Sequence, residues 1–285
     1  MLKRKIIQVT IVIALVLFSF YYTNKTIEII QKTDPIMKKI ESEREKYEIP
    51  ALDATIEENK ITPGKNGKEV DCNESYQKMK RYGSYNESLT VFKETKPQVS
   101  IENTYDKFVV GGNEEKRAIS LVFSINNTDD PKEIVRILNQ ENTKATFFLD
   151  GLWLENNLTI VKEMLNHELE ILNYNGKYEE IYFKSATGYL ENVTGTKSNY
   201  CYADFDNKEV IELCSKLKLH TIVPTIKVRN EPFQEVKDHL QNASIISLPI
   251  SKNTATELTT TIRYIKSKGY KLVSLKELLS ENYEK

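Results

Sequence analysis

The sequence predicts an α/β protein whose larger, C-terminal part builds a mainly parallel sheet or barrel. Three observations predict it. From Lys116 onward, short apolar runs fit for buried strands alternate with helical patterns, the signature of repeated βα units. Hydrophobic residues make up 40% and charged residues 28% of the 285, which is core-forming composition and excludes disorder throughout. Gly (10) and Pro (8) are both scarce, which removes collagen-like and Gly-rich classes.

The N-terminus carries its own signal. Lys3, Arg4 and Lys5 precede an apolar run from Ile6 to Tyr22, interrupted by Gln8, Thr10 and Ser19. As a helix this run spans about 26 Å, near the lower limit for a bilayer core. The basic flank favours the cytoplasmic side, and Tyr21 and Tyr22 suit the far interface. A cleaved signal peptide is the competing reading, but Ser19-Phe20-Tyr21-Tyr22 lacks small residues at a cleavage site. The expectation is a transmembrane anchor over residues 1–23, with all that follows outside the cytoplasm.

Asp34-Pro35 then opens a helix, read as a juxtamembrane helical stalk over residues 24–50. Residues 51–112 read as a small α+β module. Thr62-Pro63-Gly64-Lys65-Asn66-Gly67 is a dense turn signal. Ser88 to Phe92 and Lys107 to Val110 pattern as strands, with a short helix at Ser75 to Arg81 between them. Gly111-Gly112-Asn113 closes the module.

The alternating part follows, over residues 113–285. Ala118 to Phe123 is a strand, and Asp129-Asp130-Pro131 starts a helix with Ile134, Val135, Ile137 and Leu138 on one face. Strands follow at Thr143 to Leu149, Glu170 to Asn173, Thr221 to Val223 and Ser244 to Leu248. Helices fall at Ile160 to Leu165, Lys208 to Lys216 and Glu257 to Lys268, the last stopped by Gly269. Tyr270 to Val273 is the closing strand. Ser274-Leu275-Lys276-Glu277 is a capping box for the final helix.

Charge and rare residues limit the chemistry. Lys+Arg is 40 and Asp+Glu 41, a net charge of -1, so no basic excess exists to track a nucleic-acid backbone. Three histidines and three cysteines, widely spaced, are little material for a zinc site. Cys201 and Cys214 are expected as free or buried thiols, with a disulfide as the alternative. Cys72 is left over either way. His167, His220 and His239 are expected at the surface or half-buried.

Two segments carry a family resemblance. Lys144-Ala145-Thr146-Phe147-Phe148 resembles the corresponding strand of polysaccharide deacetylases, the NodB-homology family. Tyr264 to Leu279 resembles that family's closing helix, strand and helix. The resemblance covers about Lys116 to Lys285, is specific at these two segments, and leaves residues 24–112 outside. It implies a distorted (β/α) barrel and metal-dependent removal of acetyl groups from sugar polymers.

The family's functional motifs are degraded. Its Thr-Phe-Asp-Asp-Gly, with base and metal ligand, corresponds to Val122-Phe123-Ser124-Ile125-Asn126. Its His-x-x-x-His ligand pair corresponds to Tyr174 and Tyr178, and shifting the register to use His167 restores no pair. Its Arg-Pro-Pro-Tyr-Gly falls near Tyr200-Cys201-Tyr202-Ala203-Asp204. Its Leu-x-His-Asp falls at Ser247-Leu248-Pro249-Ile250, with Pro249 at the catalytic His. A hydrolytic metal centre needs three protein ligands and an open water position. Ile125 has no lone pair, and a tyrosine ionises only near a pKa of about 10. Ser124 supplies no carboxylate base and Pro249 no imidazole acid. The degenerate metal positions are therefore Ile125, Tyr174 and Tyr178, and the degenerate catalytic positions Ser124, Ile125 and Pro249.

The N-terminal run, the resemblance and its lost motif residues together lead to the expectation of a membrane-anchored, catalytically silent deacetylase-like protein of a bacterial envelope, without metal or other cofactor. Its partners would be cell-wall glycan or an envelope protein, and not nucleic acid. Trp153, Tyr174, Tyr178, Tyr200 and Tyr202 are the ligand-binding candidates, because aromatic rings pack against sugar faces. The bland alternative is that the tyrosines fill a vacated metal cavity. An active deacetylase, a hydrolase of carbon–nitrogen bonds, would need a relocated site around Asp150, Asp204 and Asp206, which otherwise read as solvated, helix-capping carboxylates. A third reading puts the function in residues 34–110.

Overall fold

The structure, a computed structural model, describes residues 13–19, 21, 25 and 29–282. The expected span from Ile6 to Tyr22 lies partly outside the described residues. Among those described, no helix is long and apolar enough to cross a membrane, so the transmembrane part of the expected fold finds no support here. The chain divides into two compact units, Met1–Pro50 with Gly67–Thr95, and Ala51–Asn66 with Lys96–Lys285. The break after Pro50 falls where it was expected, whereas residue 112 lies inside the larger unit and Gly67–Thr95 belongs to the smaller one. The segments 51–66 and 96–112 are joined to the barrel by main-chain pairing, which local composition does not reveal.

The smaller unit packs the helices Pro35–Glu43 and Cys72–Tyr82 with one antiparallel strand pair. Pro35–Glu43 begins as its sequence dictates, with Pro35 in the first turn and the Asp34 carboxylate accepting the Ile36 N–H at 2.9 Å. Met37 and Ile40 are its buried residues. They join Tyr76 and Met79 of the helix Cys72–Tyr82 and Val70 of the strand Gly67–Val70, which pairs antiparallel with Phe92–Thr95. The expected strand at Ser88 to Phe92 is instead a 3-10 turn at Glu87–Leu89 followed by that later strand. The Asn86 side chain caps the turn by accepting the Ser88 N–H.

The larger unit holds eleven described strands, labelled here in chain order: β1 (Thr55–Glu57), β2 (Lys60–Thr62), β3 (Phe108–Val109), β4 (Ala118–Ile125), β5 (Thr146–Asp150), β6 (Glu168–Asn173), β7 (Tyr200–Tyr202), β8 (His220–Ile222), β9 (Ile226–Lys227), β10 (Ile245–Leu248) and β11 (Lys271–Leu272). Its helices are α1 (Lys132–Gln140), α2 (Gly151–Asn156), α3 (Leu158–Glu163), α4 (Glu180–Thr194), α5 (Lys208–Lys216), α6 (Pro232–His239), α7 (Lys252–Ser267) and α8 (Leu275–Leu279). One sheet runs β9-β10-β4-β5-β6, with β11 added beside the start of β4, and every pairing is parallel. The other runs β1-β2-β3-β8-β7, with an antiparallel β1–β2 hairpin at its edge.

Side chains close the seams between the two sheets. The Glu170 carboxylate on β6 accepts the N–H of Asn199 at 3.0 Å and of Tyr200 on β7 at 3.3 Å. Thr225 donates its hydroxyl to the Val110 carbonyl at 2.6 Å and accepts the Ile245 N–H at 3.0 Å. The result is the distorted α/β barrel the resemblance implies.

Strand alternation sorts the core into two layers. Leu121, Phe123 and Ile125 of β4, with Phe147 and Leu149 of β5, pack in the cluster that includes the helix residues Ile134, Leu138, Ile262 and Ile265. Val122, Phe148, Leu172, Tyr202 and Ile245 form a second cluster, on the opposite strand faces. Both faces of β4 are therefore buried, which is why its sequence is a nearly continuous apolar run. The disulfide Cys201–Cys214 joins β7 to α5, so the alternative to free thiols holds. Facing α5 across a short connection brings the two Cα atoms to 6.3 Å, within disulfide reach.

Candidate functional site at the barrel mouth

The C-terminal ends of β4, β6 and β7 deliver side chains to one small cavity. It measures about 160 Å³ and is lined by Ser124, Asn126, Leu172, Asn173, Tyr178, Tyr202, Ala203, Asp204, Phe205, Asn207 and Val210. This is the end of a βα barrel where loops and chemistry meet.

Tyr202 organises its floor. Its hydroxyl stands 2.7 Å from Ser247 Oγ on β10 and donates to Asp204 at 2.8 Å. Asp204 also pairs with Lys227 at 2.8 Å. Burial, the largest cause, pushes the Tyr202 phenol above its usual range, and the Asp204 charge adds to it. Burial likewise raises the Tyr178 phenol. Both rings stay protonated at neutral pH, so neither offers a phenolate.

The segment at the expected ligand pair is a tight turn. Tyr174 and Lys177 exchange main-chain hydrogen bonds at 3.1 and 3.0 Å. Asn175 and Gly176 between them hold φ of 50° and 74°, the left-handed conformation an Asn-Gly hairpin turn uses. The turn separates the two tyrosines. Tyr178 enters the cavity. Tyr174 instead stacks on Tyr182 of α4 with centroids 5.5 Å apart and crowds Gly151, where an added Cβ would lie 2.6 Å from its ring.

The remaining expected residues separate in the same way. Ser124 lines the cavity. Ile125, the neighbouring metal position, is fully buried in the layer that carries Phe123 and Leu149. Pro249 follows β10 and is half-buried, and is not among the lining residues. Of the five ring candidates, the structure brings Tyr178 and Tyr202 together and not Trp153, Tyr174 or Tyr200. Trp153 is 1% exposed and donates its indole N–H to the Asp129 carbonyl at 2.9 Å. Tyr200 is buried at the opposite end of β7, beside His220. The amides Asn126, Asn173 and Asn207 line the cavity without having been expected. The one available signal was their place directly after apolar strands or before a helix.

The family's metal does not fit this mouth. Ile125 has no donor atom, and the Tyr178 phenol is held protonated. Among the described residues, no three His, Cys, Asp or Glu side chains converge to hold a metal ion. Of the carboxylates proposed as substitutes, Asp204 lines the cavity but is taken up by Tyr202 and Lys227, and the other two are committed elsewhere. Asp150 is 1% exposed and accepts the N–H groups of Leu152 at 2.9 Å, Trp153 at 3.2 Å and Gly176 at 3.0 Å. Asp206 accepts from the Asn59 amide at 3.1 Å.

Comparison with known proteins bears on this geometry. Residues 111–203 match the family model described as polysaccharide deacetylase. BA3943 of Bacillus anthracis, a CE4-family pseudoenzyme, is similar at 27% identity and a TM-score of 0.65, over 88% of this chain and 97% of that one. Over residues 111–203 the chain is similar to a polysaccharide deacetylase domain, and over most of its length to a pseudoenzyme of that kind. A BA3943 mutant, a CE4-family pseudoenzyme with restored enzymatic activity, gives a TM-score of 0.66 at 26% identity, over 88% of this chain and all of that one. The uncharacterized protein YlxY of Bacillus subtilis is 26% identical over 278 residues, 90% of this chain and 87% of YlxY. PdaA of Bacillus subtilis, a family 4 carbohydrate esterase, shares the fold alone, at 18% identity and a TM-score of 0.52, over 62% of this chain and 86% of that one. The deacetylase-like domain thus keeps the family scaffold with a mouth built from amides, hydroxyls and buried phenols.

Proposed function

We propose that this chain is a catalytically silent, deacetylase-like protein that binds cell-wall glycan at the barrel mouth. One observation carries the reading. The cavity presents Ser124, Asn126, Asn173, Asn207 and two protonated tyrosines, while the metal position Ile125 lies in the core. Hydroxyls and amides suit sugar hydroxyls, and the Tyr178 and Phe205 rings suit the apolar faces of a sugar. Phe205 is 67% exposed, available at the rim. The similarity to BA3943, itself called a pseudoenzyme, supports a silent site.

In the same reading, the N-terminal apolar run anchors the chain in the membrane and residues 24–285 face outward. The Cys201–Cys214 disulfide supports an oxidising location, where such bonds persist. The test is a pull-down of the full chain on insoluble cell-wall polymer, with Asn173→Ala/Phe205→Ala as the site variant. Retention lost in the variant supports the reading. Equal retention of both, or of neither, contradicts it.

A further inference from the structure

A second recess lies at the other end of the barrel, where β5 and β6 begin. It measures about 310 Å³, and Lys144, Lys197, Lys276, Glu168, Glu170 and Asn199 contribute to its lining. The three lysines are exposed, and none forms an ion pair with a described residue. They approach from three separate segments, before β5, before β7 and at the start of α8.

The two carboxyls on the floor are engaged by main-chain and hydroxyl donors, and Lys276 acts electrostatically on Glu168 without an ion pair. The Glu170 carboxylate is spent on the Asn199 and Tyr200 N–H groups. Glu168 accepts the Thr146 hydroxyl at 2.8 Å and the Lys276 main-chain N–H at 3.1 Å. Three like charges around one recess repel each other, and an anion entering between them relieves that repulsion. A lysine ammonium is a compact charge with three donors, suited to phosphate oxygens.

We propose that this recess binds a phosphodiester group, held by the ammonium groups of Lys144, Lys197 and Lys276. The site is at the opposite end of the barrel from the mouth, so it stands or falls independently of glycan binding.

The floor gives the site a pH dependence. Glu170 faces Glu168 on its own strand and Tyr200 on β7, and Glu168 in turn interacts with Lys276. Burial, reinforced by the Glu168 charge, pushes Glu170 up to about 8, and burial raises Glu168 as well. Tyr200 is pushed upward by burial and stays protonated. Burial lowers His167, which also borders the recess, to about 4, so it stays neutral. As pH rises through about 8, the floor gains negative charge while the lysines keep theirs. Affinity for an anion therefore falls.

The test titrates the full chain with dimethyl phosphate, whose single charge is constant over this range, against sodium chloride at equal ionic strength. The readout is the shift of the Lys197 and Lys276 amide resonances at about pH 6 and about pH 9. Saturable shifts that weaken at the higher pH are expected. Lys144→Ala/Lys276→Ala, at exposed positions, should weaken binding by roughly tenfold. Glu170→Gln should keep binding and flatten its pH dependence. Vesicles containing phosphatidylglycerol form a second arm: co-sedimentation through the same lysines identifies a lipid headgroup as the source, and its absence leaves a soluble phosphodiester. Shifts no larger than with chloride, binding unchanged in the lysine variant, or affinity that rises with pH would each overturn the proposal.

Discussion

Glu170 on β6 accepts the main-chain N–H of Asn199, just ahead of β7, at 3.0 Å. At this seam a side chain does what a strand ladder does elsewhere in the barrel. Glu170 is 1% exposed, and burial with the nearby Glu168 raises its carboxyl from 4.5 to about 8. The folded state therefore holds a proton that the unfolded chain releases. That contribution is fully present below pH 4.5 and is lost as pH rises toward about 8. Chemical denaturation across this window should show stability from this group declining with pH, and Glu170→Gln should flatten the decline. A variant whose pH profile matches the parent would contradict the assignment.

The disulfide between Cys201 and Cys214 closes a loop of separation 13 that contains Asp204, Phe205 and Asn207 of the cavity wall. Loop-closure entropy for such a ring is worth about 3 kcal/mol. Cys201→Ala/Cys214→Ala should lower stability by about 2–4 kcal/mol, measured by urea denaturation under non-reducing conditions. Equal midpoints with and without reductant would show that the bond does not form in solution.

Glu281, near the C-terminus, is 5% exposed and binds two distant segments. Its carboxylate accepts the Gly64 N–H at 2.8 Å and the Ile101 N–H at 3.2 Å, together with the Ser100 hydroxyl. Glu281→Ala would strand those buried donors, at about 1–3 kcal/mol for such a loss. Amide hydrogen exchange should accelerate at Gly64 and Ile101 first. Unchanged protection there would refute the latch.

Much of the fold was legible because local signals agreed with burial. The Asp34-Pro35 start and the Gly269 stop appear where the sequence puts them, with Gly269 at φ 82°. Half of the capping box at Ser274 forms, its hydroxyl accepting the Glu277 N–H at 3.3 Å. The 15-residue α4 was not legible. It holds Gly188, exposes Ile181 and Tyr182, and has no side-chain cap, so its pattern is weak. The β1–β2 hairpin also escaped, because its strands are three residues each and Glu281, more than two hundred positions away, helps to hold it.

The mouth was legible in its losses and not in its geometry. Motif spacing located Ser124 and Tyr178, which line the cavity. It could not tell that strand alternation turns Ile125 into the helix-facing layer, or that the Asn175–Gly176 turn swings Tyr174 onto Tyr182. Trp153 and Tyr200 looked available as rings, but both are consumed by packing.

The central claim is that the mouth binds without turning over. The most direct test incubates the purified full chain, supplied with zinc, cobalt or nickel, with chitooligomers and with peptidoglycan, and measures released acetate together with bound metal. With Ser124, Ile125, Tyr174, Tyr178 and Pro249 at the base, metal and acid positions, the expected result is no stoichiometric metal and acetate equal to a boiled control. General acid–base help alone is worth about 10²- to 10⁴-fold, and the metal-bound water is missing as well. Acetate above that control, abolished by a chelator, would contradict the account and direct attention to Asp150, Asp204 and Asp206.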